Sequence, residues 1–162
     1  MLRNEPPNYP VDCIPTFVSP QDSCWDADRI VEETDALKPE DPVHPCRAFW
    51  AGLTRGDLEG VREYFVPDAD PTRFVCRRLT LDSWSRVTQM QEIGQSVRAG
   101  IMAIRHGLTA VEDSEQKLTY EKALTDDEIN DLRRLLGDSA FSLLGKFLIN
   151  VSTEVTIPEG KP

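Results

Sequence analysis

The sequence predicts a mainly α-helical fold, and three observations carry that prediction. Between Leu81 and Leu108 the apolar residues Leu81, Trp84, Val87, Met90, Ile93, Val97, Ile101, Ile104 and Leu108 recur at steps of three or four, the period of one helix face. Thr125-Asp126-Asp127-Glu128 has the S/T-x-x-E form of a capping box and opens a second apolar-periodic run. Asp138 then precedes a third, with Phe141, Leu144, Phe147, Leu148 and Val151 in helical register. The expected architecture is a helical domain around one long central helix at about 81–106. To it are added an extended Pro-rich N-terminal arm and at most a small β element, at about 73–79 and 154–157.

The division expected is an arm at 1–45 and a single helical domain at 46–162. Eight of the twelve prolines lie in residues 1–45, where each removes an N–H donor and biases its predecessor toward extended backbone. Tyr9, Val11, Ile14, Phe17, Val18 and Trp25 recur among them, more apolar anchors than a disordered linker carries. The mixture reads as an arm laid on a surface, either its own domain or a neighbouring subunit. Residues 26–37 (DADRIVEETDAL) can form one or two helical turns before Pro39. Two short helical patterns follow, Phe49, Trp50 and Leu53 after Pro45, then Leu58, Val61, Tyr64 and Phe65 after Asp57.

Thr72 to Thr80 (TRFVCRRLT) is the best strand candidate, with Phe74, Cys76 and Arg78 toward one side. A lone strand leaves its backbone unsatisfied, so it must pair with the C-terminal apolar segment, part of the arm, or another molecule's edge. Thr80 is placed to cap the long helix and Gly107 to close it, 26 residues or roughly 39 Å apart in helix length; Gly94 and Gly100 interrupt it, with a break at Gly94 allowed. The polar, acidic stretch from Glu112 to Glu121 reads as a loop, and Glu154 to Ile157 as a short terminal strand. The expected core takes Phe49, Trp50, Leu53, Val61, Phe65, Trp84, Val87, Ile93, Val97, Ile101, Ile104, Leu132, Leu135, Phe141, Leu144 and Phe147.

Charge bounds the function. The net charge of −10 argues against a general nucleic-acid or anionic-membrane binder. No apolar run approaches the roughly 18–20 residues of a membrane helix, and MLRNEPPNYP lacks the pattern of a secretory signal, so a cytosolic origin is the expectation. Residues 73–108 are a basic insert, six arginines against Asp82 and Glu92, between acidic flanks. Arg73, Arg77 and Arg78 are therefore candidates for meeting an acidic partner, with internal pairing the plainer alternative. The cysteines at 13, 24, 46 and 76 lack zinc spacing, and no metal or cofactor is expected. No nucleotide-loop, hydrolase or metalloprotease motif occurs. His106 sits where a protonated imidazole would complement a helix C-terminus, and Asp68 and Asp70 read as turn carboxylates. No enzymatic activity is expected.

The order of parts, a strand-like RFVCRRLT entering the 81–106 helix, then Gly107-Leu108, an acidic loop, an LTDDEI helix start and a terminal helix, resembles small tailed-bacteriophage head and tail proteins. These include minor virion components and tail-assembly chaperones. The resemblance spans about residues 73–151 and implies a non-enzymatic structural or assembly protein, its partners the capsid or tail subunits of a particle put together in the host cytoplasm. On this reading the arm, through Tyr9, Phe17 and Trp25, docks on neighbouring subunits. The alternative is a soluble assembly chaperone or acidic adaptor that binds its partner transiently.

Overall fold

The computed structural model describes residues 14–35 and 59–156. Within them the chain is a mixed α/β protein, five α-helices and a four-stranded antiparallel sheet, which corrects the expectation of one long central helix with a minimal β element. The elements run β1 (Thr16–Val18), α1 (Ala27–Asp35), a 3-10 helix (Glu59–Tyr64), β2 (Arg73–Cys76), α2 (Leu81–Glu92), α3 (Ser96–Gly107), β3 (Leu108–Glu112), β4 (Lys117–Thr119), α4 (Asp126–Leu136) and α5 (Asp138–Thr156).

The expected long helix is two helices. Thr80 caps α2 as predicted, its side chain accepting from the Ser83 N–H at 3.2 Å. The chain then turns at Gly94, whose φ of +80° is open to glycine at little cost, and α3 begins at Ser96. Gly107 does not take the left-handed closing role. It ends α3 in close packing, where an added Cβ would lie 2.6 Å from a Leu148 methyl, and Leu108 passes directly into β3.

The sheet order is β1-β2-β3-β4. The strand expected at 73–79 is present over Arg73–Cys76 and finds its partners on both sides: β1, from the Pro-rich segment, and β3. The expected acidic loop instead contains the end of β3, a turn and β4. Asp113 builds the turn by accepting from the N–H groups of Glu115 and Gln116 at 2.8 and 2.9 Å, leaving Lys-Leu-Thr free to pair back. The strand expected at 154–157 is helix through Thr156, because α5 simply continues; Ile157 lies outside the described residues.

The centre of the molecule is α5. Its Ala140, Phe141, Leu144, Phe147, Leu148, Ile149, Val151 and Ser152 are all buried, against α2, α3, α4 and the sheet. An apolar surface this wide needs cover on several sides, which a single amphipathic neighbour cannot supply. The sheet contributes Phe17 and Phe74, whose rings stand 6.1 Å apart edge-on, with Phe17 5.5 Å from Phe147. Where α3 crosses α5, Gly100 meets Gly145 backbone to backbone. Ser152 joins α5 to the α2 lead-in: its hydroxyl accepts from the Leu79 N–H and donates to the Leu148 carbonyl, both at 2.8 Å.

A smaller cluster, Val18, Cys24, Trp25 and Tyr64, lies beside the main core. Trp25 forms an isolated bridge with Phe65, and its indole N–H donates to the Ser19 carbonyl at 2.7 Å. The capping box at Thr125 is complete: Thr125 accepts from Glu128 N–H, and Glu128 accepts from Thr125 N–H. Three expected core residues are instead in water, Ile93, Val97 and Leu135. Expected core residues Phe49, Trp50 and Leu53 lie outside the described residues.

Candidate functional site

Of the large apolar side chains exposed among the described residues, Val97, Leu118 and Leu135 border grooves, and they mark two surfaces. The first is at the α2–α3 elbow. The turn at Gly94 rotates the apolar stripe, so Val87, Ala99, Ala103 and Ile104 stay buried while Ile93 and Val97 stand 72% and 73% exposed. Below Val97 a groove of about 460 Å³ runs between α3 and α5, floored by Gly100, Ile101, Phe141 and Ile149. Arg98 lies on the exposed face and Lys146 at the groove's wall, while Arg133 on the same wall is held by Asp138 at 2.7 Å.

The second surface is the β4 edge. Register places Phe17, Phe74, Val111 and Leu118 side by side across the four strands on one face. The row starts in the core with Phe17 and ends on the edge with Leu118, 57% exposed. Opposite it, Leu135 of α4 is 67% exposed, and between them lies a groove of about 450 Å³ lined also by Val111, Tyr120 and Leu132. Its walls carry Glu112, Asp113 and Asp131 against Lys117. Partial burial, with the negative charges of Glu128 and Asp131 nearby, makes the Tyr120 hydroxyl a weaker acid than usual.

The backbone of β4 is directional in a useful way. The Asp113 N–H donates to the Gln116 carbonyl and the Tyr120 N–H to the Thr109 carbonyl, at 3.0 and 2.8 Å. These pairs, and Val111 with Leu118 between them, therefore occupy the hydrogen-bonding positions of the ladder. The backbone groups of Lys117 and Thr119 point the other way. Among the described residues no strand lies on that side.

The residues expected to bind partners are placed as follows. Tyr9 lies outside the described residues. Phe17 and Trp25 are 2% and 8% exposed, enclosed by this chain's own clusters. Arg73 is held at the sheet by Glu112 at 3.5 Å and Asp70 at 3.9 Å. Arg77 is exposed, its Nε donating to the His106 carbonyl at 3.0 Å, and Arg78 is half-buried beside it in the lead-in to α2. Among the described residues, Phe17, Trp25, Arg73, Arg77 and Arg78 are not gathered at one site.

Among the described residues, the titratable groups with shifted acidity do not gather at one site. His106 is depressed below its ordinary value by burial and by the Arg105, Arg77 and Arg86 charges, so the neutral imidazole is favoured rather than the cation expected at a helix end. Burial, then Asp22 nearby, pushes the Cys24 thiol up to about 12, and burial alone raises Cys76. Among the described residues, no three metal-ligating side chains come together. None of the described helices is long and apolar enough to cross a membrane.

The β4 edge escaped the sequence reading because its three residues sit among acids; the signal was Lys-Leu-Thr-Tyr alternation after an Asp-Ser turn. Ile93, Val97 and Leu135 were legible as apolar but not as exposed. No protein-family model, curated protein or solved structure matches this chain.

Proposed function

We propose that this chain is a non-enzymatic structural or assembly protein of a bacteriophage particle, a capsid, connector or tail component that works by docking on neighbouring protein subunits. The observation that carries the docking reading is the elbow: Ile93 and Val97 stand mostly in water, Val97 at the rim of the groove between α3 and α5. Fully burying side chains of this size is worth about 1.5–3 kcal/mol each, so a partner covering both gains several kcal/mol. The exposed cations Arg98, beside Ile93, and Lys146, on the groove's wall, suit a partner contact that carries carboxylates. Docking thereby moves from Phe17 and Trp25, which the chain uses for its own core, to the elbow. The phage assignment rests on the order of parts along residues 73–151.

The test is the protein content of purified particles from the genome that encodes the chain. A stoichiometric band, lost on Val97→Asp with the purified variant still folded, supports a resident component. Presence with partner subunits before assembly and absence from finished particles supports the transient chaperone instead. Absence at both stages overturns the assembly reading.

A further inference from the structure

We propose that the edge of β4, unpaired among the described residues, is a docking site for an extended segment of a partner protein, one apolar residue flanked by basic residues two positions away, added as a fifth strand. The inference deepens the docking reading and rests on it. The edge offers the outward N–H and C=O groups of Lys117 and Thr119, which an added strand would meet about 4.8 Å away. Strand register then dictates the side chains. The residue opposite Leu118 falls on the face of Phe17, Phe74 and Val111 and extends that row by one place, over the groove bounded by Leu132 and Leu135. Edges are ordinarily blunted by shortness and by charge, and Lys117 does that here. An exposed leucine beside it facing a second exposed leucine, Leu135, works against that protection.

Charge selects the occupant. On the groove face, positions two residues either side of the central one reach toward Asp113 at the turn and toward Tyr120 and its neighbours Glu128 and Asp131 at the other end. Asp131 is shared with Arg134 at 3.3 Å and Glu112 with Arg73 and Lys117, yet the groove walls remain three carboxylates against one lysine. A basic flank complements them. A second copy of this chain does not: it would bring the same acid-walled groove and a net charge of −10 against its like.

The probe is a fluorescent peptide of about seven residues, one valine flanked two positions away by arginines with threonine elsewhere, titrated against the full chain by anisotropy. Saturable binding is expected, weakened about tenfold or more by Leu118→Ala. Thr119→Pro is the sharper variant, because the N–H it removes points away from β3; the hairpin stays paired while the docking donor is lost. It should weaken binding about tenfold with the far-ultraviolet dichroism unchanged. If Thr119→Pro disturbs the fold, Leu118→Ala and the charge control decide. Equal binding of the peptide with glutamate in place of arginine overturns the proposal. So does undiminished binding by both variants, absence of binding at millimolar peptide, or a wild-type dimer dispersed by Leu118→Ala. Particle incorporation that depends on Val97 is read separately, so the edge can fail while the elbow reading stands, and the reverse.

Discussion

Gly145 and Gly100 face each other where α5 crosses α3, and the geometry makes their alanine variants behave oppositely. A Cβ built on Gly145 would lie 2.9 Å from the Gly100 Cα, 3.2 Å from its carbonyl oxygen and 3.3 Å from its carbonyl carbon. All three are backbone atoms, so no side chain can swing aside and the helices must separate. A Cβ on Gly100 meets nothing nearer than the Gly145 Cα at 3.9 Å, an ordinary contact. Each substitution gains about 1 kcal/mol of helix propensity. At Gly145 that gain is set against an overpacking cost of about 1–3 kcal/mol, the more so because Leu144, Phe147 and Leu148 must move with the backbone. Gly145→Ala is therefore expected to be neutral to destabilising, by up to about 2 kcal/mol. Gly100→Ala is expected to be stabilising by up to about 1 kcal/mol, so that the two differ by about 1–3 kcal/mol. Urea unfolding at constant m-value reads the difference directly. For a chain of this size each 1 kcal/mol also moves the melting temperature by about 2–4 °C. A Gly145→Ala protein more stable than Gly100→Ala would refute the close crossing of the two helices.

Ser152→Ala should cost about 1–3 kcal/mol in the same urea assay, because it strands the buried Leu79 N–H; a loss no larger than that of a surface serine would mean water takes its place. Gly94→Ala should cost about 1–2 kcal/mol although nothing lies within 4 Å of the added carbon, since the penalty is the positive φ itself; an unchanged melting temperature would show that the elbow relaxes freely. His106, whose folded form resists protonation, makes stability fall as pH drops below about 6.5, where the unfolded chain takes up the proton first, and His106→Gln should flatten that slope in melts recorded between about pH 7 and 5. Cys24 and Cys76 should react with a thiol reagent only after denaturation, so rapid modification of either in the native protein would contradict their burial.

The local sequence determined those features whose forces are local. Thr80 and the Thr125–Glu128 pair satisfy orphan N–H groups within one turn of themselves, so both helix starts could be read without knowing any neighbour. The strand at Arg73–Cys76 was legible from the alternation of TRFVCRRLT, and the last helix from the register of Phe141, Leu144, Phe147, Leu148 and Val151. Periodicity, however, states which residues share a face and not whether that face is covered. Ile93 and Val97 continue the stripe of Val87 and Ile104 in sequence, but the turn at Gly94 leaves both of them in water. Leu135 of α4 is likewise exposed, beside a groove whose far wall comes from β3 and β4. Only the tertiary structure decided that residues 16–18 complete a sheet, since Phe17 is indistinguishable in sequence from an anchor for another subunit until β2 and Phe147 are seen to enclose it. Pairing between residues more than fifty positions apart depends on where the whole chain brings them, and no short-range force encodes it. The same holds for the β4 edge: Lys117, Leu118 and Thr119 lie at the border of the sheet because of where the three other strands are placed, and no residue among the three states that position.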